Sequence, residues 1–216
     1  VDENIIYKYP FSSIKASDIV EVSTSLKKRK MYYRKKLGIK EKHVILSVGQ
    51  FIHRKGFDML INAASNFGDE IGIFIIGGKP TEEYLKMRNE TKCNNLHFIG
   101  FMSKRELTDW YQAADLFAMT TREDVWGLVV NEAMAYGLPV ISSDMCGAAS
   151  EMVKNGYNGY IFENENTEQL TARLKKQLEL LENTDVYCIN AQQTAKRFTI
   201  EEMAKRHMFI FEQIID

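Results

Sequence analysis

From His43 onward, short apolar runs and amphipathic stretches take turns along the chain. His43-Val44-Ile45-Leu46-Ser47-Val48-Gly49 is a β-branched run closed by glycine, the pattern of a strand buried on both faces. Phe57, Leu60, Ile61 and Ala64 then recur at i, i+3, i+4 and i+7, one face of a helix. Residues 71–78 and 96–100 repeat the strand signal. Ser103-Lys104-Arg105-Glu106 reads as a capping box ahead of Leu107, Trp110, Tyr111 and Ala114 at helical spacing. Residues 115–119, 139–142 and 159–162 are further strands, with a helix between the first two. After Phe162 the strands stop. Leu170, Leu174, Leu178 and Leu181 line one helix; Thr199-Ile200-Glu201-Glu202 caps another, with the stripe Ile200, Met203, His207, Phe211 and Ile214. This alternation predicts an α/β fold, a doubly wound parallel sheet (Rossmann-like) with a helical C-terminal tail.

The first forty residues differ. Tyr7-Lys8-Tyr9-Pro10-Phe11-Ser12-Ser13 reads as extended, since the residue before a proline is pushed out of the helical region. A basic stretch follows, Lys27-Lys28-Arg29-Lys30, Arg34-Lys35-Lys36, then Lys40 and Lys42. It is expected to be a solvated helix face, the alternative being a patch for phosphates or anionic lipid headgroups. The domain expectation is therefore an inter-domain linker with a basic helical segment over 1–42, and one Rossmann-like domain over 43–216. Val1 is not a natural start, and the opening residues read as the middle of something longer, without a leader pattern.

Composition narrows the function classes. Of 216 residues, 45% are hydrophobic and 26% charged, with net charge −1, so the chain is globular and no basic surplus points to nucleic acid. No apolar run approaches the roughly 20 residues of a bilayer span. Cys93, Cys146 and Cys188 are odd in number and far apart, which fits a reducing, cytoplasmic compartment. Cys93 and His97 stand at C-x3-H spacing, but two ligands without two more do not make a metal site, and none is expected. The phosphate, nucleophile-elbow and metalloprotease motifs G-x-x-x-x-G-K-[ST], G-x-G-x-x-G, G-x-S-x-G and H-E-x-x-H do not occur.

In an open parallel sheet a ligand sits outside the carboxyl ends of the strands, so the loops after Val48, Ile76, Ile99, Met119 and Ile141 matter most. After Met119, a helix over about 126–136, stopped by Gly137 and Pro139, would aim the N–H groups of Gly127, Leu128 and Val129 at the crevice, an anion site. Glu132 lies on this helix, and a carboxylate facing inward needs donors such as ribose hydroxyls. After Val48, Arg54 and Lys55 put two cations at the strand ends, placed for a diphosphate or simply for solubility. Trp126 is either a packing anchor or a wall of the pocket.

Three blocks then carry a resemblance: Ser47-Val48-Gly49-Gln50 through Lys55-Gly56, Phe98-Ile99-Gly100-Phe101, and Asp124 to Pro139, with two carboxylates eight positions apart followed by Ala-Met-Ala-x-Gly-x-Pro-Val. The chain resembles the C-terminal, nucleotide-sugar-binding half of the group 1 (family four, retaining) glycosyltransferases of GT-B fold, from Val44 to about Phe162 and the tail beyond. The resemblance implies a nucleoside diphosphate sugar, UDP- or GDP-linked, as donor substrate, with no cofactor or metal required. It implies that Glu132 holds the ribose and that Lys55 holds the diphosphate. Gly49 and Gln50 lie in the same loop, and Gln50 stands where the family has arginine, so either Arg54 supplies the missing charge or phosphate binding is weaker than is usual in the family. Ile99 implies a backbone contact to the base. Asp124, with Glu123 beside it, stands at the sugar, and either could make that contact. Asp144 and 147–151 match a further block with a structural role.

The implied reaction is retaining glycosyl transfer in polysaccharide or glycolipid biosynthesis. The acceptor glycan or glycolipid, and the base that activates it, would belong to an N-terminal half absent from this sequence, so the isolated chain is expected to bind nucleotide without turnover. The basic stretch suits peripheral membrane association of the full enzyme at the inner face. Another GT-B chemistry, epimerisation or phosphorolysis, and a non-catalytic flavodoxin-like module are the alternatives.

Overall fold

The structure, a computed structural model, describes residues 7–22, 26–91 and 93–215; the expectations for the opening residues from Val1 lie outside them. Six strands, β1 (His43–Val48), β2 (Ile71–Ile76), β3 (Leu96–Ile99), β4 (Leu116–Met119), β5 (Val140–Ser143) and β6 (Gly159–Phe162), form one all-parallel sheet in the order β3-β2-β1-β4-β5-β6. The strands fall where the apolar runs predict them.

Alternation along each strand divides the core in two. Val44, Leu46, Phe74, Ile76, Phe117, Met119 and Val140 point to one face. They meet α4 (Lys104–Ala113), α5 (Leu128–Ala135), α6 (Gly147–Met152) and α8 (Val186–Ala195). Ile45, Ile73, Ile75, Leu116, Ala118 and Ile141 point to the other, under α2 (Phe57–Ala64), α3 (Glu82–Thr91) and α7 (Thr167–Asn183). Burial on both faces explains why the strands read as unbroken apolar runs. Ser103 caps α4 as expected: its hydroxyl accepts from the Glu106 amide, while the Glu106 side chain accepts from the Ser103 amide.

Three expectations change. The basic stretch, α1 (Leu26–Leu37), is not simply a solvated face. Lys30 Nζ and Arg34 Nη2 pair with the buried Asp115 at 2.9 and 2.6 Å, and Arg29 donates to the Tyr136 carbonyl. Burial raises the Asp115 carboxyl, but those two cations outweigh it and bring it below the usual carboxylate range. These contacts dock α1 on α4 and the start of β4, and Ile14 is core, so the described residues before 43 pack against the sheet domain. On α9 (Ile200–Ile215), Ile210 is the buried position, whereas Phe211 and Ile214 of the expected stripe are exposed. The Thr199 hydroxyl accepts from the Glu202 amide, but the Glu202 carboxylate pairs with Lys205. Finally, α5 starts at Leu128 rather than 126, because Gly127 takes a left-handed turn (φ 94°) that ends the loop. No described helix is long and apolar enough to cross a membrane.

Candidate functional site

The strand order reverses between β1 and β4, and a crevice opens there because successive crossovers leave in opposite directions. The loops after these two strands interlock. Gly56 adopts φ 62°, and a Cβ on it would sit 2.0 Å from the Thr120 carbonyl oxygen. The Thr120 hydroxyl donates to the Lys55 carbonyl at 3.1 Å, the Thr121 hydroxyl to the Arg54 carbonyl at 2.9 Å, and the Arg122 amide to the same carbonyl at 2.8 Å.

This interlock brings two predicted residues into contact. Lys55 Nζ lies 2.5 Å from Asp124 Oδ2, both side chains mostly shielded from solvent. The Asp124 backbone is tied on both sides, its N–H donating to the Met145 carbonyl and its carbonyl accepting from the Gly147 amide, each at 3.0 Å. Arg54 turns aside to donate to the Glu123 carbonyl at 2.9 Å, and Glu123 itself is exposed. Of the two adjacent carboxylates, Asp124 is therefore the one facing Lys55.

Just beyond, α5 presents its amino end. Gly127 is the N-cap and Leu128 and Val129 the first helical residues; the first amide turned back into the helix is that of Val130, donating to the Gly127 carbonyl at 2.9 Å. The Gly127, Leu128 and Val129 N–H groups have no acceptor among the described residues, which leaves them to a ligand or water. One turn further, Glu132 is half-buried and accepts from the Tyr111 hydroxyl at 2.9 Å. Burial lifts its carboxyl above the usual carboxylate value, with the Tyr111 bond working against that rise. Burial, and then the charge of Glu132, push the Tyr111 phenol well above its ordinary range, so Tyr111 remains the donor.

On the other side of β1, Val48, Gly49, Gln50, Ile76, Gly77, Phe101, Met102 and Leu107 surround a cavity of about 210 Å³. Gly49 donates to Ile76, and Ile99 at the end of β3 accepts from Gly77 at 3.2 Å, so the Ile99 carbonyl is already engaged. Phe101 stands almost free at the mouth. A larger groove of about 620 Å³ lies beyond Trp126, between residues 7–10 and α8–α9. Trp126 acts as an anchor: it packs edge-on against Phe11 and near Phe198, and Nε1 donates to Asn131 at 2.8 Å.

The sequence missed two residues at this rim. Tyr111 reads only as a core position of α4. Arg122 reads as an ordinary loop cation, yet it donates a bidentate pair to Asp58 at 2.7 and 2.6 Å, bonds Glu165, and reaches the His53 carbonyl at 2.8 Å. It thus ties the loops after β1, β4 and β6 together, and these bonds hold its guanidinium above its already high ordinary value. No local signal marks it, because its three partners are far away in sequence. Cys93 and His97 do not converge: Cys93 donates to the Thr91 carbonyl, and His97 pairs with Glu41 at 2.5 Å. Asp144 accepts from the Asn164 amide, a structural contact.

Known proteins resemble this chain in sequence and in fold. A family model described as glycosyl transferases group 1 matches residues 30–194. The Escherichia coli lipopolysaccharide glucosyltransferase WaaG is 30% identical over 152 residues, 68% of this chain and 40% of its own length. An uncharacterized glycosyltransferase of Methanocaldococcus jannaschii is 28% identical over 177 residues, 79% and 48% of the two lengths. Sucrose-phosphate synthase from Thermosynechococcus elongatus superposes with a TM-score of 0.80 at 20% identity, over 94% of this chain and 51% of that one. Anabaena HepE in complex with UDP-glucose gives 0.78 at 22%, over 96% and 57%. The chain spans about half the length of the curated relatives it matches.

Proposed function

The chain belongs to the group 1 glycosyltransferases, and from that premise we propose that it is the donor-binding half of a retaining enzyme acting on a nucleoside diphosphate sugar. The observation that carries this reading is the meeting of Lys55 and Asp124 at the β1/β4 crevice, beside the amino end of α5. A diphosphate there meets the Lys55 ammonium and the amides of Gly127, Leu128 and Val129. As the bond between the anomeric carbon and the phosphate oxygen breaks, the negative charge grows where these donors are already aimed, so they stabilise the transition state more than the bound donor. Asp124 accepts from sugar hydroxyls, and Glu132 from the ribose, one helical turn away. The cavity between the β1 and β3 loops receives the base, where Gln50 is the polar side chain within reach.

An acceptor glycan or glycolipid, and the group that activates it, belong in this reading to the other half of the enzyme. The likeness to WaaG, a lipopolysaccharide glucosyltransferase, supports a role in polysaccharide or glycolipid synthesis. The HepE complex makes UDP-glucose the donor to try first, with GDP-sugars next.

Isothermal titration with UDP, GDP, ADP and their glucose conjugates tests the donor assignment. One base series binding to wild type, and weakening by tenfold or more in Lys55→Met, supports it. Absence of binding across all three, in a chain that melts cooperatively, would leave only the fold.

A further inference from the structure

The contact that carries the donor reading also restricts what binds, an inference that rests on that reading. Lys55 is the cation paired with Asp124 among the described residues, since Arg54 is turned to the Glu123 carbonyl and Arg122 is held by Asp58 and Glu165. Without a ligand the site is self-neutralised, with 15% of each side chain exposed. The loops cannot simply draw apart: the Thr120 and Thr121 hydroxyls donate to the Lys55 and Arg54 carbonyls, the Arg122 amide donates to the latter, and the Asp124 backbone is tied to Met145 and Gly147. The pair opens through its side chains.

A diphosphate that takes Lys55 arrives as negative charge beside Asp124. The carboxylate loses its cation and keeps one long bond, Oδ1 from the Trp126 amide at 3.3 Å, in a site largely closed to water. An unpaired carboxylate in such a place is costly, and a like charge next to it adds to the cost. A glycosyl group changes the balance, because its hydroxyls donate to the carboxylate that Lys55 has left. We propose that Asp124 is a specificity-determining latch. It holds Lys55 against free nucleoside diphosphate, yields it when the attached sugar compensates the carboxylate, and takes it back after transfer, which favours release of the diphosphate product.

The test compares UDP and UDP-glucose on wild type, Asp124→Asn and Asp124→Ser by titration calorimetry, with GDP and GDP-mannose in parallel. Removing the charge should tighten the free diphosphate by about tenfold, the scale of one charge-assisted bond. It should leave the sugar conjugate unchanged or weaker, so that the ratio of the two affinities moves toward the diphosphate. The serine variant provides the same reading if the asparagine variant folds poorly. Equal weakening of both ligands would make Asp124 an ordinary contact and overturn the latch. Unchanged UDP affinity would overturn it too. A wild type that binds none of the four ligands would instead remove the donor reading beneath it.

Discussion

Replacing Glu132 with glutamine separates what the fold needs from what the proposed ligand needs. The substitution keeps the shape and an acceptor for the Tyr111 hydroxyl, 2.9 Å away, and removes only the charge. In the free chain that charge is a liability: burial dominates, and the carboxyl stands above its ordinary value of 4.5. The sign follows from proton linkage. A carboxyl raised in the fold binds its proton more tightly folded than unfolded, so stability falls as pH rises through that interval and stays lower above it. Glu132→Gln is therefore expected to melt higher than wild type at pH 7.5, with the difference shrinking as pH falls through the raised value toward the ordinary one and largely gone below it. The same variant should bind nucleotide more weakly by about 1–2 kcal/mol, five- to thirtyfold, because ribose hydroxyls donate less strongly to an amide than to a carboxylate. Thermal melting and calorimetry on one preparation read both. A variant that melts lower at neutral pH, or that binds nucleotide with wild-type affinity, would refute the reasoning and take the ribose away from this residue.

Two further expectations concern the frame around the site. Asp115→Ala strands Lys30 and Arg34 in a nearly buried position, and urea unfolding should show a loss of about 3–5 kcal/mol. Since the Asp115 carboxyl is held below its ordinary value, the wild-type advantage should fade as pH falls through that lowered value. Gly77→Ala would place a Cβ 1.5 Å from the Gly49 carbonyl oxygen, forcing the β1 and β2 loops apart, whereas a Cβ on Gly68 meets nothing within 4 Å. Denaturation should show a loss of about 1–3 kcal/mol or more for Gly77→Ala and little for Gly68→Ala; equal behaviour would mean that the loops are free to separate.

The strands, most helices and the place of the crevice were legible in the sequence, because each rests on a local period: apolar runs for β1 to β6, the i, i+3, i+4, i+7 face of α2, and the Ser103–Glu106 box of α4. Lys55, Asp124 and Glu132 were legible as candidates because each sits in a recognisable block. Pairing was not legible. That Lys55 meets Asp124 rather than Glu123, that Tyr111 holds Glu132, that Arg122 clamps three loops, and that Lys30 and Arg34 of α1 turn inward to Asp115 all depend on residues 20 to 85 positions apart. A periodic pattern records which side of an element meets the core. Which charge meets which is decided only when the strand order brings distant loops to one rim, and at that distance in sequence no local preference carries the information.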